Sequence, residues 1–175
     1  MKLCVFALAT ILSICTVCAG DIKPATSDEL IALVAKRNAL TLVTPKPVKM
    51  PELIWTLCFR PPGPADKVHA DHNPNGHYKV FVTDNGAAAM KNEKATFPVG
   101  AVIVKEKLMT KDAKDSLLFT GMLKREKNYN PDCGDWEFFL VSGDGKTVTE
   151  RGMLKSCIVC HLDYSASDFV TKKYK

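Results

Sequence analysis

The order of apolar and polar positions divides the chain into one helical stretch followed by a run of strands. Leu30, Ile31, Val34 and Ala35 recur at helical spacing just behind Thr26 and Glu29, which stand as a Thr-x-x-Glu capping box. A helix over 27–38 is predicted. Prolines at 45, 47 and 51 keep the next stretch extended. Segment 52–58 (ELIWTLC) reads as a first strand, rich in β-branched and aromatic residues, and Arg60-Pro61-Pro62-Gly63-Pro64 stops it. Segment 77–84 alternates as a second strand ended by Asn85-Gly86, with a short helical turn at 87–90. In 101–108 (AVIVKEKL) period-two geometry puts Ala101, Ile103, Lys105 and Lys107 on one face. Val102, Val104, Glu106 and Leu108 take the other. Segments 117–126 and 135–141 read as strands four and five, joined through the turn-rich 128–134. Gly143-Asp144-Gly145 closes a further turn, and 152–157 leads into a cysteine-rich segment. The pattern is α+β: mostly antiparallel sheet, with a helix at the front.

The first residues follow a different logic. Lys2 precedes an apolar run over 3–17, and small residues follow at Ala19-Gly20. That is the make-up of a secretory signal peptide over 1–19, cleaved near Ala19, which leaves 20–175 as a single domain. The run is short for a membrane span. A lipoprotein anchor on Cys15 or Cys18 is not expected, because Ile14 and Val17 suit that modification poorly. The expected location is therefore periplasmic. The net charge is +5, and one unit less once Lys2 leaves. With no long basic run, that excludes nucleic acid as a partner.

Three of the seven cysteines, Cys4, Cys15 and Cys18, leave with the leader. Cys58 and Cys133 form an even pair that an oxidising compartment would join as a disulfide. Two separately buried thiols are the alternative. The other two belong to Cys157-Ile158-Val159-Cys160-His161. The spacing C-x-x-C-H is what covalent haem attachment requires. The thiols of Cys157 and Cys160 add across the vinyl groups, and His161 turns its imidazole onto the iron as axial ligand. The expectation is one covalent haem c. A redox dithiol would sit early in a βαβ unit, and a zinc site would need further ligands. His69, His72 and His77 raise a metal question, but Asn73-Pro74-Asn75-Gly76 between them is turn chemistry, so a solvated loop is the reading there.

Three stretches together resemble a known family. They are Phe97-Pro98-Val99-Gly100-Ala101-Val102-Ile103-Val104-Lys105-Glu106, then Gly134-Asp135-Trp136-Glu137-Phe138-Phe139, then the late Cys157 to His161. They are similar to the cytochrome P-460 family and its relatives, the β-type cytochromes c-prime. The resemblance implies a sheet-rich fold, a homodimer, and a five-coordinate c-type haem with an open distal face. In the hydroxylamine-oxidising members a lysine is cross-linked to the porphyrin, and the matching position here is Lys105. Those members also resemble one another in a distal glutamate on the strand before the Gly-Asp-Trp segment. Here 118–122 (LFTGM) holds no carboxylate. An apolar distal wall of Phe119, Met122 and Phe81 would favour binding a small ligand such as nitric oxide.

The reading is thus an exported monohaem c-type cytochrome with an open iron for small nitrogen species, nitric oxide or hydroxylamine. It would exchange electrons with an external cytochrome. One alternative is a hydroxylamine oxidoreductase with Lys105 bonded to the haem, releasing nitric oxide or nitrous oxide. A simple electron-transfer cytochrome is the other, and would need Met153 or His77 to close the iron.

Overall fold

The computed structural model describes residues 25–51 and 76–174. The strand expected over 52–58, Cys58, His69 and His72 lie outside the described residues.

Helix α1 (Ser27–Ala35) begins as the capping box requires. The Thr26 hydroxyl accepts from the Glu29 amide, and the Glu29 carboxylate accepts from the Thr26 amide. The helix is shorter than expected, because its last turn tightens into a 3-10 segment, Arg37–Ala39. That tightening carries Arg37 to Glu106, where its guanidinium donates at 2.6 and 3.0 Å. Two short strands follow, β1 (Thr41–Leu42) and β2 (Val48–Lys49), in the stretch expected only to be extended.

The rest is one antiparallel sheet. Its remaining strands are β3 (His77–Val82), β4 (Val102–Leu108), β5 (Ser116–Lys124), β6 (Trp136–Ser142) and β7 (Val148–Gly152). The order is β1-β3-β4-β5-β6-β7, with β2 also paired to β3. From β3 onward each strand therefore lies beside its successor in the chain. Between β3 and β4 runs helix α2 (Asp84–Lys91), where the sequence suggested a turn at Asn85-Gly86 and then a helical turn at 87–90. Gly86 is buried within it, and a side chain there would press on Val82 and Ala101. Its smallness lets α2 lie close on the sheet.

Alternation along the strands sorts the core into two layers. Tyr78, Val80, Ile103, Met122, Trp136 and Phe138 face one way, toward Ala89 and Met90 of α2. Phe81, Val102, Val104, Phe119, Phe139 and Val141 face the other, toward Leu30 and Val34 of α1. Each such buried side chain contributes about 1.5–3 kcal/mol. The α1 layer is also pinned by charge. Glu137, buried on β6, accepts from both Arg125 and Arg151, and Arg151 donates onward to the Ser27 hydroxyl and the Ala25 carbonyl. Gly121 is the tight point of that layer, since a Cβ there would run into the Phe139 ring.

After β7, Gly152 turns with φ 124°, and helix α3 (Lys155–His161) begins. It runs into a 3-10 segment, Leu162–Ser167, that ends at Asp168 in the left-handed region. Among the described residues, no helix is long and apolar enough to cross a membrane.

Candidate haem site

The two cysteines and the histidine of the motif all lie on α3. Three- and four-residue separations share a helix face, so Cys157, Cys160 and His161 present together. Cys157 and Ile158 pack against the α2-side layer of the sheet. The α3 helix therefore lies over that layer, which fixes the face of the sheet on which the chemistry sits.

His161 is held by its surroundings on that face. Its Nδ1 stands 2.7 Å from the Phe169 carbonyl oxygen. A carbonyl only accepts, so Nδ1 carries the proton and Nε2 keeps its lone pair. The ring lies 5.1 Å from Phe138, tilted by 55°, and 6.5 Å from Tyr164. Burial holds the His161 pKa below the ordinary imidazole value. The Lys105 ammonium pushes in the same direction, while the Phe169 carbonyl opposes both. The imidazole is thus kept neutral, as an iron ligand must be.

Lys105 and Met122 occupy the same face. Lys105 is half-buried, and its Nζ lies 4.1 Å from the centre of the Tyr78 ring. Burial raises the Tyr78 pKa, and raises that of Tyr174, which packs edge-on to Tyr78 at 6.2 Å. Met122 is buried beside Ile103, its partner across the ladder. These residues bear out the two-faced reading of 101–108.

Phe81 and Phe119 do not belong there. Both lie in the α1 layer, on the opposite side of the sheet, so they form no wall for a ligand bound at His161. The physical reason is the pleat. Phe119 and Met122 are three apart on one strand, and an odd separation sends two side chains to opposite faces. That signal was present in the sequence.

The register also brings in a residue that the sequence reading missed. Lys105 pairs with Thr120, Thr120 with Leu140, and Leu140 with Glu150, so the four share one row across β4 to β7. Directly opposed residues face the same side of a sheet. Glu150 therefore stands on the Lys105 face, while its neighbour Arg151 reaches to the α1 side. It lies two strands, or about 10 Å, from Thr120. The 118–122 stretch lacks a carboxylate, but the face does not. No local pattern marks Glu150; only the strand pairing does.

The remaining expectations fare unevenly. His77 and Phe81 alternate with Tyr78 and Val80, so His77 points to the α1 side. Met153 is exposed, in the link between β7 and α3. Of the expected Cys58–Cys133 pair, Cys58 lies outside the described residues, and Cys133 is a free thiol, fully buried. Its burial among apolar side chains pushes its pKa up to about 11. Among the described residues, no three or more His, Cys, Asp and Glu side chains converge as a metal site.

The arrangement fits a haem. It offers two thiols on one helix face, an imidazole with its free nitrogen defined by a backbone carbonyl, and apolar surface around the motif at Met153, Val159 and Leu162, all exposed. Comparison with known proteins agrees. No curated protein matches the chain. The family described as Cytochrome P460 matches residues 64–172, well over half of its length. With the fold, the late C-x-x-C-H helix and the oriented His161 in place, the chain belongs to the cytochrome P460 family.

Proposed function

We propose that this protein is an exported monohaem c-type cytochrome whose iron stays open on one side for small nitrogen species. The observation that carries the reading is the His161 tautomer: Nδ1 is committed to the Phe169 carbonyl, which leaves Nε2 as the single nitrogen available for iron. Cys157 and Cys160, on the same helix, would hold the haem covalently. Haem, when bound, supplies an iron that takes up a small ligand and exchanges single electrons. The chain's own residues set the rest. His161 donates from one side, Met122 and Phe138 keep water from the neighbouring wall, and Lys105 adds a positive charge that favours polarised or anionic ligands. The same reading takes the chain as a homodimer, cleaved near Ala19, that passes electrons to and from an external cytochrome.

A second reading is favoured by Glu150. A carboxylate on the Lys105 face could accept protons from bound hydroxylamine, which would make the protein a hydroxylamine oxidoreductase. General-base catalysis contributes about 10²- to 10⁴-fold. A closed, purely electron-transferring site has less support, because His77 is on the other face and Met153 is exposed.

The test begins with attachment. In the mature protein haem should survive acid-acetone extraction, and Cys157→Ala with Cys160→Ala should abolish that. The ferrous protein should then take up one nitric oxide per haem. Stoichiometric zinc with no haem would remove the proposal.

A further inference from the structure

Behind His161 lies a turn that the fold holds in a costly shape. Asp168 and Phe169 both adopt left-handed backbone angles, φ 59° and 61°. That region is sparsely used by residues other than glycine, least of all by bulky ones. Hydrogen bonds on Asp168 offset the cost. Lys124 Nζ donates to its two carboxylate oxygens at 2.7 and 2.9 Å, and to the Gly134 carbonyl at 2.7 Å. The Phe97 amide donates to Oδ2 at 2.7 Å, and Trp136 Nε1 donates to the Asp168 carbonyl at 2.8 Å. Gly134 completes the clamp: it too is left-handed, and a side chain there would strike the Phe169 ring.

The ion pair itself is nearly dry, with side chains 8% and 9% exposed. Buried pairs of this kind stabilise a fold no better than apolar residues of the same size. Direction is what they supply. Here the direction ends on one atom, the Phe169 carbonyl oxygen that His161 Nδ1 reaches.

We propose that Lys124 and Asp168 are positioning residues for His161. By fixing the Phe169 carbonyl they set the strength of the Nδ1–H bond, and through it the electron-donating power of Nε2. This rests on His161 being the iron ligand. Partners of this kind behind a ligating histidine fix its tautomer and raise its basicity.

The test uses the mature, haem-loaded protein and two readouts: the iron–histidine stretching band of the ferrous form and the one-electron reduction potential. Lys124→Met and Asp168→Asn should both lower the band. Both should favour the ferrous form about tenfold, a rise of about 59 mV. Asn tolerates the left-handed backbone and keeps an acceptor for the Phe97 amide, so it carries the test if the Met variant fails to fold. Leu30→Ala, in the α1 layer, should lower stability and leave both readouts unmoved. If the two variants melt earlier yet keep wild-type band and potential, the pair is structural only and the proposal is overturned. His161→Ala separates the underlying reading, because a band that persists without the imidazole would show that His161 is not the ligand.

Discussion

The Lys105 ammonium rests on the face of the Tyr78 ring, 4.1 Å from its centre, although the two residues are not direct partners across their strands. Within about 6 Å such a contact is attractive, by roughly 0.5–2 kcal/mol. It gives the lysine a non-covalent resting place on the site face. Peptide mapping of the mature protein should therefore return Lys105 as an ordinary lysine, with haem on the Cys157–Cys160 peptide alone. Lys105→Met should leave the ferrous Soret band where it is. A haem-linked peptide containing Lys105, with brisk hydroxylamine oxidation, would instead establish the enzyme.

Glu150 and Thr120 share a row with Lys105, and they divide the two readings. Hydroxylamine turnover by the wild type should be slow. Glu150→Gln should reduce it further, by about 10²-fold or more if this carboxylate takes the proton. Nitric oxide binding should persist in that variant. Thr120→Glu places a carboxylate directly beside Lys105 and should raise turnover, measured as electrons delivered to an external acceptor.

Cys133 makes stability fall at alkaline pH. Its pKa rises from 9.0 to about 11 on folding, chiefly through burial. Below pH 9 the thiol is protonated in both states and its contribution is fully present. Between 9 and 11 the unfolded chain ionises while the folded one does not, so stability is lost as pH rises. The loss is on the order of 2 kcal/mol. Urea unfolding of wild type and Cys133→Ala at pH 8 and pH 10.5 should show a smaller drop in the variant.

Glu137 fastens the start of α1 to the sheet through Arg151, and it holds Arg125 as well. Its side chain is almost wholly buried, so Glu137→Gln leaves Arg125 and Arg151 without their shared anion. Removing one partner of a buried pair costs about 3–5 kcal/mol. Denaturant unfolding should show a loss of that order, while the haem spectrum of the folded protein stays unchanged.

The sequence was most readable where one local rule decided the outcome. The Thr26–Glu29 box and the alternation along 101–108 are local, and both appear in the structure as read. Strand β7 was missed, because Val148-Thr149-Glu150-Arg151-Gly152 has little apolar character and, among the described residues, is paired only on its β6 side. Helix α2 was misread because Asn85-Gly86 is strong turn chemistry, whereas here close packing on Val82 overrides it. Phe81 and Phe119 went to the wrong side because these strands are apolar on both faces, so hydrophobicity does not say which face looks where. The Lys124–Asp168 clamp spans 44 residues and could emerge only from the fold.

Helix α3 has no fully buried residue, and every described strand precedes it in the chain. The core on its face of the sheet is completed by Val170 and Phe169 from beyond α3, which leaves Cys157 and Cys160 on a partly exposed rim. An attachment enzyme then has only to grip a short peripheral helix, and a chain that misses this step should persist as a colourless, folded scaffold rather than collapse.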